Sequence, residues 1–140
     1  MEHMHPISRR LSLAALLAAA ALLAACASLQ SKPEDTVTER ANARWQALLK
    51  GDMAKAYTYS TSGFRAVVNL ENFKSRTGIA GRWHAAQVVN VTCDTPERCK
   101  AVIKLEFSTL IPGFSKDRMA THIDETWLLE DGQWWIFQKV

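Results

Sequence analysis

Two cysteines, each set in a run of alternating apolar residues, constrain this chain more than any other feature. Val89, Val91 and Cys93 share one side of a period-two pattern. Cys99, Ala101, Ile103, Leu105 and Phe107 share one side of the next, with Lys100, Lys104 and Glu106 opposite. Such alternation is the signature of half-buried strands. The connection Asp94-Thr-Pro-Glu-Arg98 cannot continue a strand, because Pro96 has no amide hydrogen for the ladder. Pairing Cys93 with Cys99 places Val91 opposite Ala101 and Val89 opposite Ile103, so both apolar faces coincide. A slip of one residue would turn every side chain to the wrong face, which fixes the register. The Cα spacing across an antiparallel pair suits a disulfide. A metal or redox pair fits poorly: the spacing is C-x₅-C, without further ligands and without the close C-x-x-C that lowers a thiol pKa.

The end of the chain repeats this logic. Asp131-Gly132 is a two-residue hairpin signal joining a strand over about 118–129 to Gln133-Trp-Trp-Ile-Phe-Gln-Lys-Val140. The turn pairs Trp127 with Ile136 and Leu129 with Trp134. One face then carries Ile123, Glu125, Trp127, Leu129, Trp134 and Ile136, and is the better core. The other carries His122, Asp124, Thr126, Leu128, Trp135, Phe137 and Lys139. Pro112-Gly113 supplies the turn between the two hairpins, giving a four-stranded antiparallel meander.

Ahead of the sheet the period is helical. Thr36-Val-Thr-Glu39 reads as a capping box. Val37, Ala41, Trp45, Leu48 and Leu49 then share a face, Arg40, Arg44 and Lys50 fall elsewhere, and Gly51 ends the helix. Asp52 caps a second helix from Met53 to about Tyr59, burying Met53, Ala56 and Tyr57. Ser60-Thr-Ser-Gly63 breaks it, and a third runs from Leu70 to Thr77, stopping at Gly78. Three helices followed by a meander make an α+β domain, because the apolar helix face needs a sheet to cover.

The first 25 residues follow other rules. Arg9 and Arg10 precede an apolar stretch from Leu11 to Ala25 that ends in small residues, the pattern of a secretory signal peptide. Leu23-Ala-Ala-Cys26 resembles the lipobox of bacterial lipoproteins, an ordinary signal peptide with a chance cysteine being the alternative. The resemblance implies that the Cys26 thiol receives a diacylglycerol, that cleavage precedes it and that the new amino group is fatty-acylated. Ala27 in place of aspartate implies the outer membrane, facing the periplasm. The organisation is then a signal peptide over 1–25, lipidated Cys26 with a flexible tether to 35, and a domain over 36–140. Lipidation takes Cys26 out of the thiol count, and secretion into an oxidising compartment leaves Cys93 and Cys99 as a disulfide pair. Without residues 1–25 the charge is 17 − 2 = 15 Lys+Arg against 14 − 1 = 13 Asp+Glu. A balance of +2 with no basic block leaves no nucleic-acid footprint.

The pattern Trp45…Leu49-Lys-Gly-Asp52…Ala56-Tyr57, then Phe73, Trp83 and Glu125-Thr-Trp127…Asp131-Gly-Gln-Trp134-Trp135 resembles the nuclear transport factor 2-like superfamily. The resemblance implies a curved sheet wrapped round the first helix as a cone; a cystatin-like sheet over a helix is the alternative. Some members are isomerases or dehydratases with polar groups inside the cone, and many have no chemistry. Here the cone would be lined by Trp45, Tyr57, Trp83, Glu125 and Trp127, with His84 and Gln138 as further polar groups. Glu125 is the sharpest candidate acid or base, since a carboxylate among apolar neighbours has its pKa raised. A glutamate held by a helix or paired with Arg44 is the plainer account.

His84 and His122 lack clustered ligands for zinc. The sequence has no glycine-rich phosphate loop and no G-x-S-x-G elbow, and it calls for no cofactor or metal. Leu128, Trp135 and Phe137 gather on the face expected outside, a patch for a protein partner or a second copy, unless the tether or a helix covers it. The expectation is a lipid-anchored, non-catalytic binding or assembly module of the cell envelope. A cone-pocket enzyme using Glu125 on an apolar small molecule is the alternative.

Overall fold

The computed structural model describes residues 31–78, 82–108 and 118–140. Cys26, the signal peptide and the Pro112-Gly113 turn lie outside them. The elements are α1 (Pro33–Leu49), α2 (Met53–Tyr57), α3 (Ser62–Val67), α4 (Leu70–Gly78), β1 (Arg82–Thr95), β2 (Arg98–Ser108), β3 (Met119–Glu130) and β4 (Gln133–Phe137). The strands form one antiparallel sheet in the order β1-β2-β3-β4.

Helix α1 starts three residues before the expected capping box. Pro33 opens it, where the missing amide hydrogen costs nothing, and Glu34 and Asp35 favour the positive end of the helix dipole. Thr36 is therefore not a cap: its hydroxyl donates to the Lys32 carbonyl, 3.3 Å away. Residues 33–35 belong to this helix rather than to a tether. The helix ends as expected. Gly51 takes φ 74°, and the amides of Gly51 and Asp52 return to the carbonyls of Leu48 and Ala47, a Schellman closure.

Asp52 caps α2 by accepting from the Lys55 amide. The helix stops at Tyr57, not Tyr59, and buries Ala56 fully while Met53 and Tyr57 stay half-buried. The described residues hold four helices where three were expected, because the segment expected only to break α2 begins α3. Thr61 caps it by accepting from the Phe64 amide, and Phe64 and Val68 anchor it in the core. Asn69 accepts from the Asn72 amide at the start of α4.

Helix α1 lays Val37, Ala41, Trp45 and Leu48 on the sheet, with Leu49 only half-buried. They meet Ala101, Ile103 and Leu105 of β2, Trp127 of β3, and Trp134 and Ile136 of β4. Each large side chain so buried contributes about 1.5–3 kcal/mol.

The second hairpin has the expected register, Trp127 opposite Ile136 and Leu129 opposite Trp134. Its turn places Asp131 at φ 52° and Gly132 at φ 75°, the left-handed pair of a type I′ turn. The first hairpin pairs Cys93 with Cys99 and Val91 with Ala101, but Ile103 faces Val88 rather than Val89. A bulge between Val88 and Asn90 inserts one residue, so the inward set changes parity there and Val89 turns outward, 45% exposed. Cys93 and Cys99 are joined, with Cα atoms 3.9 Å apart.

The outer edge of β4 is sealed by a distant segment. The Ile136 amide donates to the Tyr59 carbonyl at 2.9 Å, and the Thr61 amide donates to the Ile136 carbonyl at 3.2 Å. Buried Ser60 pairs in parallel with Ile136 and donates to Gln138 Oε1 at 2.7 Å.

Candidate functional site

The interior between α1 and the sheet is organised by Glu125. Its place on the inward face of β3 follows from the strand alternation that buries Trp127 two residues later. Arg44 Nη1 lies 2.7 Å from Glu125 Oε1, and the Trp45 indole Nε1 donates to the same oxygen at 2.8 Å. Trp127 Nε1 donates to Oε2 at 3.2 Å. Arg44 was expected off the core face, yet it is buried beside Trp45 because the carboxylate draws it in. This is the plainer of the two accounts of Glu125, an ion pair to the helix. The Arg44 Nε–H is buried without an acceptor among the described residues.

Burial pushes the Glu125 carboxyl above its ordinary range, opposed by the Arg44 charge and by the indole and guanidinium hydrogen bonds. Burial likewise lowers the Arg44 guanidinium, opposed by Glu125. The result is a desolvated ion pair with three donors on one carboxylate, held between tryptophans.

Of the other expected cone residues, only Trp45 and Trp127 bond to this pair. Trp127 is fully buried and Trp45 nearly so. Trp83 is half-buried and meets Trp45 edge-on, with ring centroids 5.5 Å apart. The Tyr57 hydroxyl donates to the Val68 carbonyl at 2.7 Å, tying α2 to the end of α3. Gln138 is bound to Ser60. His84 Nε2 and Ser108 Oγ are 2.6 Å apart at an exposed strand end, and His122 is exposed on β3. Among the described residues no group of three or more His, Cys, Asp or Glu could hold a metal ion.

The outer sheet face carries the residues expected there. Phe137 is 48% exposed, and Leu128 and Trp135 are half-buried. Two depressions meet at Leu128 and Phe137. One, of about 590 Å³, is bordered by Thr92, Asp94, Arg98, Lys100 and Thr126. The other, of about 450 Å³, is bordered by Phe64 of α3 and by Glu130, Lys139 and Val140. None of Trp45, Tyr57, Trp83, Glu125 or Trp127 lines either depression. The charges on the first are matched in pairs, Arg98 to Asp94 at 2.6 Å and Lys100 to Asp124 at 3.3 Å.

Trp135 is covered in a way the strand pattern did not indicate. The guanidinium of Arg40 stands 5.3 Å from its ring centre and that of Arg65 stands 5.2 Å from it. Arg40 also lies 5.0 Å from the Tyr59 ring and donates from Nε to the Trp134 carbonyl at 2.6 Å. Its placement off the apolar face of α1 was the only sequence signal, and nothing local marked Arg65 as its counterpart.

The geometry defines an α+β domain in which a four-stranded antiparallel sheet embraces a long first helix. The fold is shared with a SEC-C motif containing protein from Psychrobacter arcticus, at a TM-score of 0.59 and 14% identity, over 79% of this chain and 63% of that one. The chain thus spans less than two thirds of that protein's length. A SEC-C motif containing protein from Rhodopseudomonas palustris gives a TM-score of 0.54 at 10% identity, over 68% of this chain and 70% of that one. A nuclear transport factor 2-like protein from Campylobacter jejuni superposes at a TM-score of 0.45 and 14% identity, over 78% of this chain and 100% of that one, too low to carry an argument. These likenesses concern fold alone. No family model matches the sequence, and no curated protein matches it.

Proposed function

We propose that this chain is a lipid-anchored envelope protein whose domain, of nuclear transport factor 2-like type, is a binding or assembly module acting through its outer sheet face. The observation that carries the reading is the occupied state of Glu125. Both of its oxygens are held, by Arg44, Trp45 and Trp127, while Phe137 stands exposed between two open depressions. Apolar surface of this kind, flanked by the paired charges Arg98–Asp94 and Lys100–Asp124, is what a partner or a second copy buries. The lipobox-like Leu23-Ala-Ala-Cys26 supports the anchor, and Ala27 supports the outer membrane.

Phe137→Ser tests the reading. It should weaken self-association or partner capture, followed by sedimentation and mild crosslinking, and leave the urea midpoint within about 0.5 kcal/mol, as for surface substitutions generally. Loss of folding would show that Phe137 is core. Unchanged association would remove the outer face as the contact.

The second reading, a cone-pocket enzyme of isomerase or dehydratase type, is favoured by the raised pKa of Glu125 and the unmatched Arg44 Nε–H. It requires turnover of an apolar substrate that Glu125→Gln abolishes while the domain stays folded.

A further inference from the structure

His84 owes its position to an irregularity in the first hairpin. Trp83 pairs with Phe107 and Ala85 with Glu106, so the register slips by one residue at His84. Trp83 and Ala86 both pack against the core, and the extra residue leaves His84 and Ala85 exposed between them. Along β2 the alternation is regular. Leu105 is buried and Phe107 packs against the core, so Glu106 and Ser108 share the other face. The bulge thereby brings the His84 imidazole to Ser108, with Nε2 2.6 Å from Oγ. That distance lies within hydrogen-bond reach for a serine and the base that takes its proton.

A serine hydroxyl is a weak nucleophile at neutral pH and is activated by an adjacent base. With its hydrogen on Nδ1, the imidazole accepts from the Ser108 hydroxyl through Nε2. Glu106 stands two residues before Ser108 on the same face. A carboxylate therefore shares the face on which an imidazolium forms, the arrangement that favours the charged ring. Among the described residues the approach is open, because Ala85 and Ala120, the partners of Glu106 on either side, are small and exposed. Ser108 itself is half-buried. That leaves room for a small acyl group beside the hydroxyl.

We infer that Ser108 and His84 form a nucleophile–base pair that takes the acyl group of small carboxylic esters onto Ser108 and then hydrolyses it. Ser108 Oγ bonds to the ester carbonyl carbon while its proton passes to His84 Nε2. The carbon–oxygen bond to the alcohol then breaks, and the imidazolium returns the proton to the departing oxygen. In the second half water attacks the acyl-serine and gives a proton to Nε2. The acid leaves as that proton returns to Ser108 Oγ, so ester and water become acid and alcohol. The inference is independent of the outer-face contact at Phe137 and of the Glu125 ion pair.

The test uses the full chain and p-nitrophenyl acetate, with peptide mass spectrometry after an acid quench to locate the acetyl group. Acetyl should appear on Ser108, and nitrophenol release should fall at least about tenfold in Ser108→Ala. His84→Gln keeps a polar side chain at the bulge and should slow acetylation of Ser108 about a hundredfold, the lower end of what a positioned base supplies. Circular dichroism checks that both variants are folded. A fluorophosphonate gives a second readout, since it should mark Ser108 in the unaltered protein and spare it in His84→Gln. If a variant fails to fold, the unaltered protein decides alone: labelling of Ser108 should vanish in urea, where the strands part. Acetyl confined to lysines, a rate that ignores Ser108→Ala or His84→Gln, or labelling of Ser108 that survives urea would each overturn the inference.

Discussion

Removing the cation from the buried pair would leave a carboxylate among tryptophans with nowhere to place its charge. Arg44→Met should therefore destabilise the domain by about 3–5 kcal/mol in urea unfolding, the usual cost of breaking a buried ion pair from one side. Adding Glu125→Gln should recover much of that loss, since the amide oxygen still accepts from an indole and no net charge is stranded. A double variant no better than the single would show that Arg44 matters for packing rather than charge. The pair also sets a pH dependence. With its folded pKa raised by burial, Glu125 holds its proton more tightly in the native state than in the unfolded chain, where it titrates near about 4.3. Its contribution is therefore full at low pH and declines as pH rises from that value through the folded pKa. Relative to Glu125→Gln, the unaltered protein should lose stability across that window and then level off. A gap that moved in its favour instead would mean that the three donors outweigh desolvation. The strand alternation was enough to place Glu125 inward. It could not place Arg44 there, because the helical pattern counts a cation as outside unless its partner is known.

Among the elements, the hairpins were legible because two independent constraints agreed in each. Cys93 opposite Cys99 and the Asp131-Gly132 turn fixed registers that alternation alone would leave free to slip. The error at Val89 came from a bulge, and with adjacent valines at 88 and 89 either residue could serve the core. Helix α3 was missed because Ser62-Gly63 reads as a breaker; the Thr61 cap and the docking of Phe64 override propensity over six residues. The Cys93–Cys99 link should show no free thiol in the denatured, unreduced protein. Replacing both cysteines by serine should cost at most about 3 kcal/mol, since the closed loop is short. Quantitative labelling of both thiols would refute the staple. Gly132→Val forces a branched side chain into a left-handed φ and should lower stability by about 1–2 kcal/mol. No effect would mean that the turn relaxes to another type.

For the whole molecule, the anchor can be tested apart from the fold. Cys26→Ser should abolish acylation and leave a longer precursor by mass spectrometry; a mature-sized product still in the membrane fraction would overturn the lipobox reading. The outer face was legible from strand alternation alone, but its arginine cover was not, since Arg40, Arg65 and Trp135 meet only after three elements have docked. The seal on β4 bears on how the chain reaches its final state. Ser60 and Gln138 are 78 positions apart, and bringing such distant partners together is slow because the entropy of closing a long loop comes before any contact rewards it. The two hairpins, local in sequence, are free to form early. The strand carrying Trp134 and Ile136 can lock only when residues 59–61 arrive alongside it. Until then an intermediate presents an apolar strand with its outer edge unpaired, the kind of surface that holdase chaperones retain and that aggregates when they do not. Slow refolding that Ser60→Pro slows further, with the early hairpin phase unchanged, is the kinetic signature of that late closure.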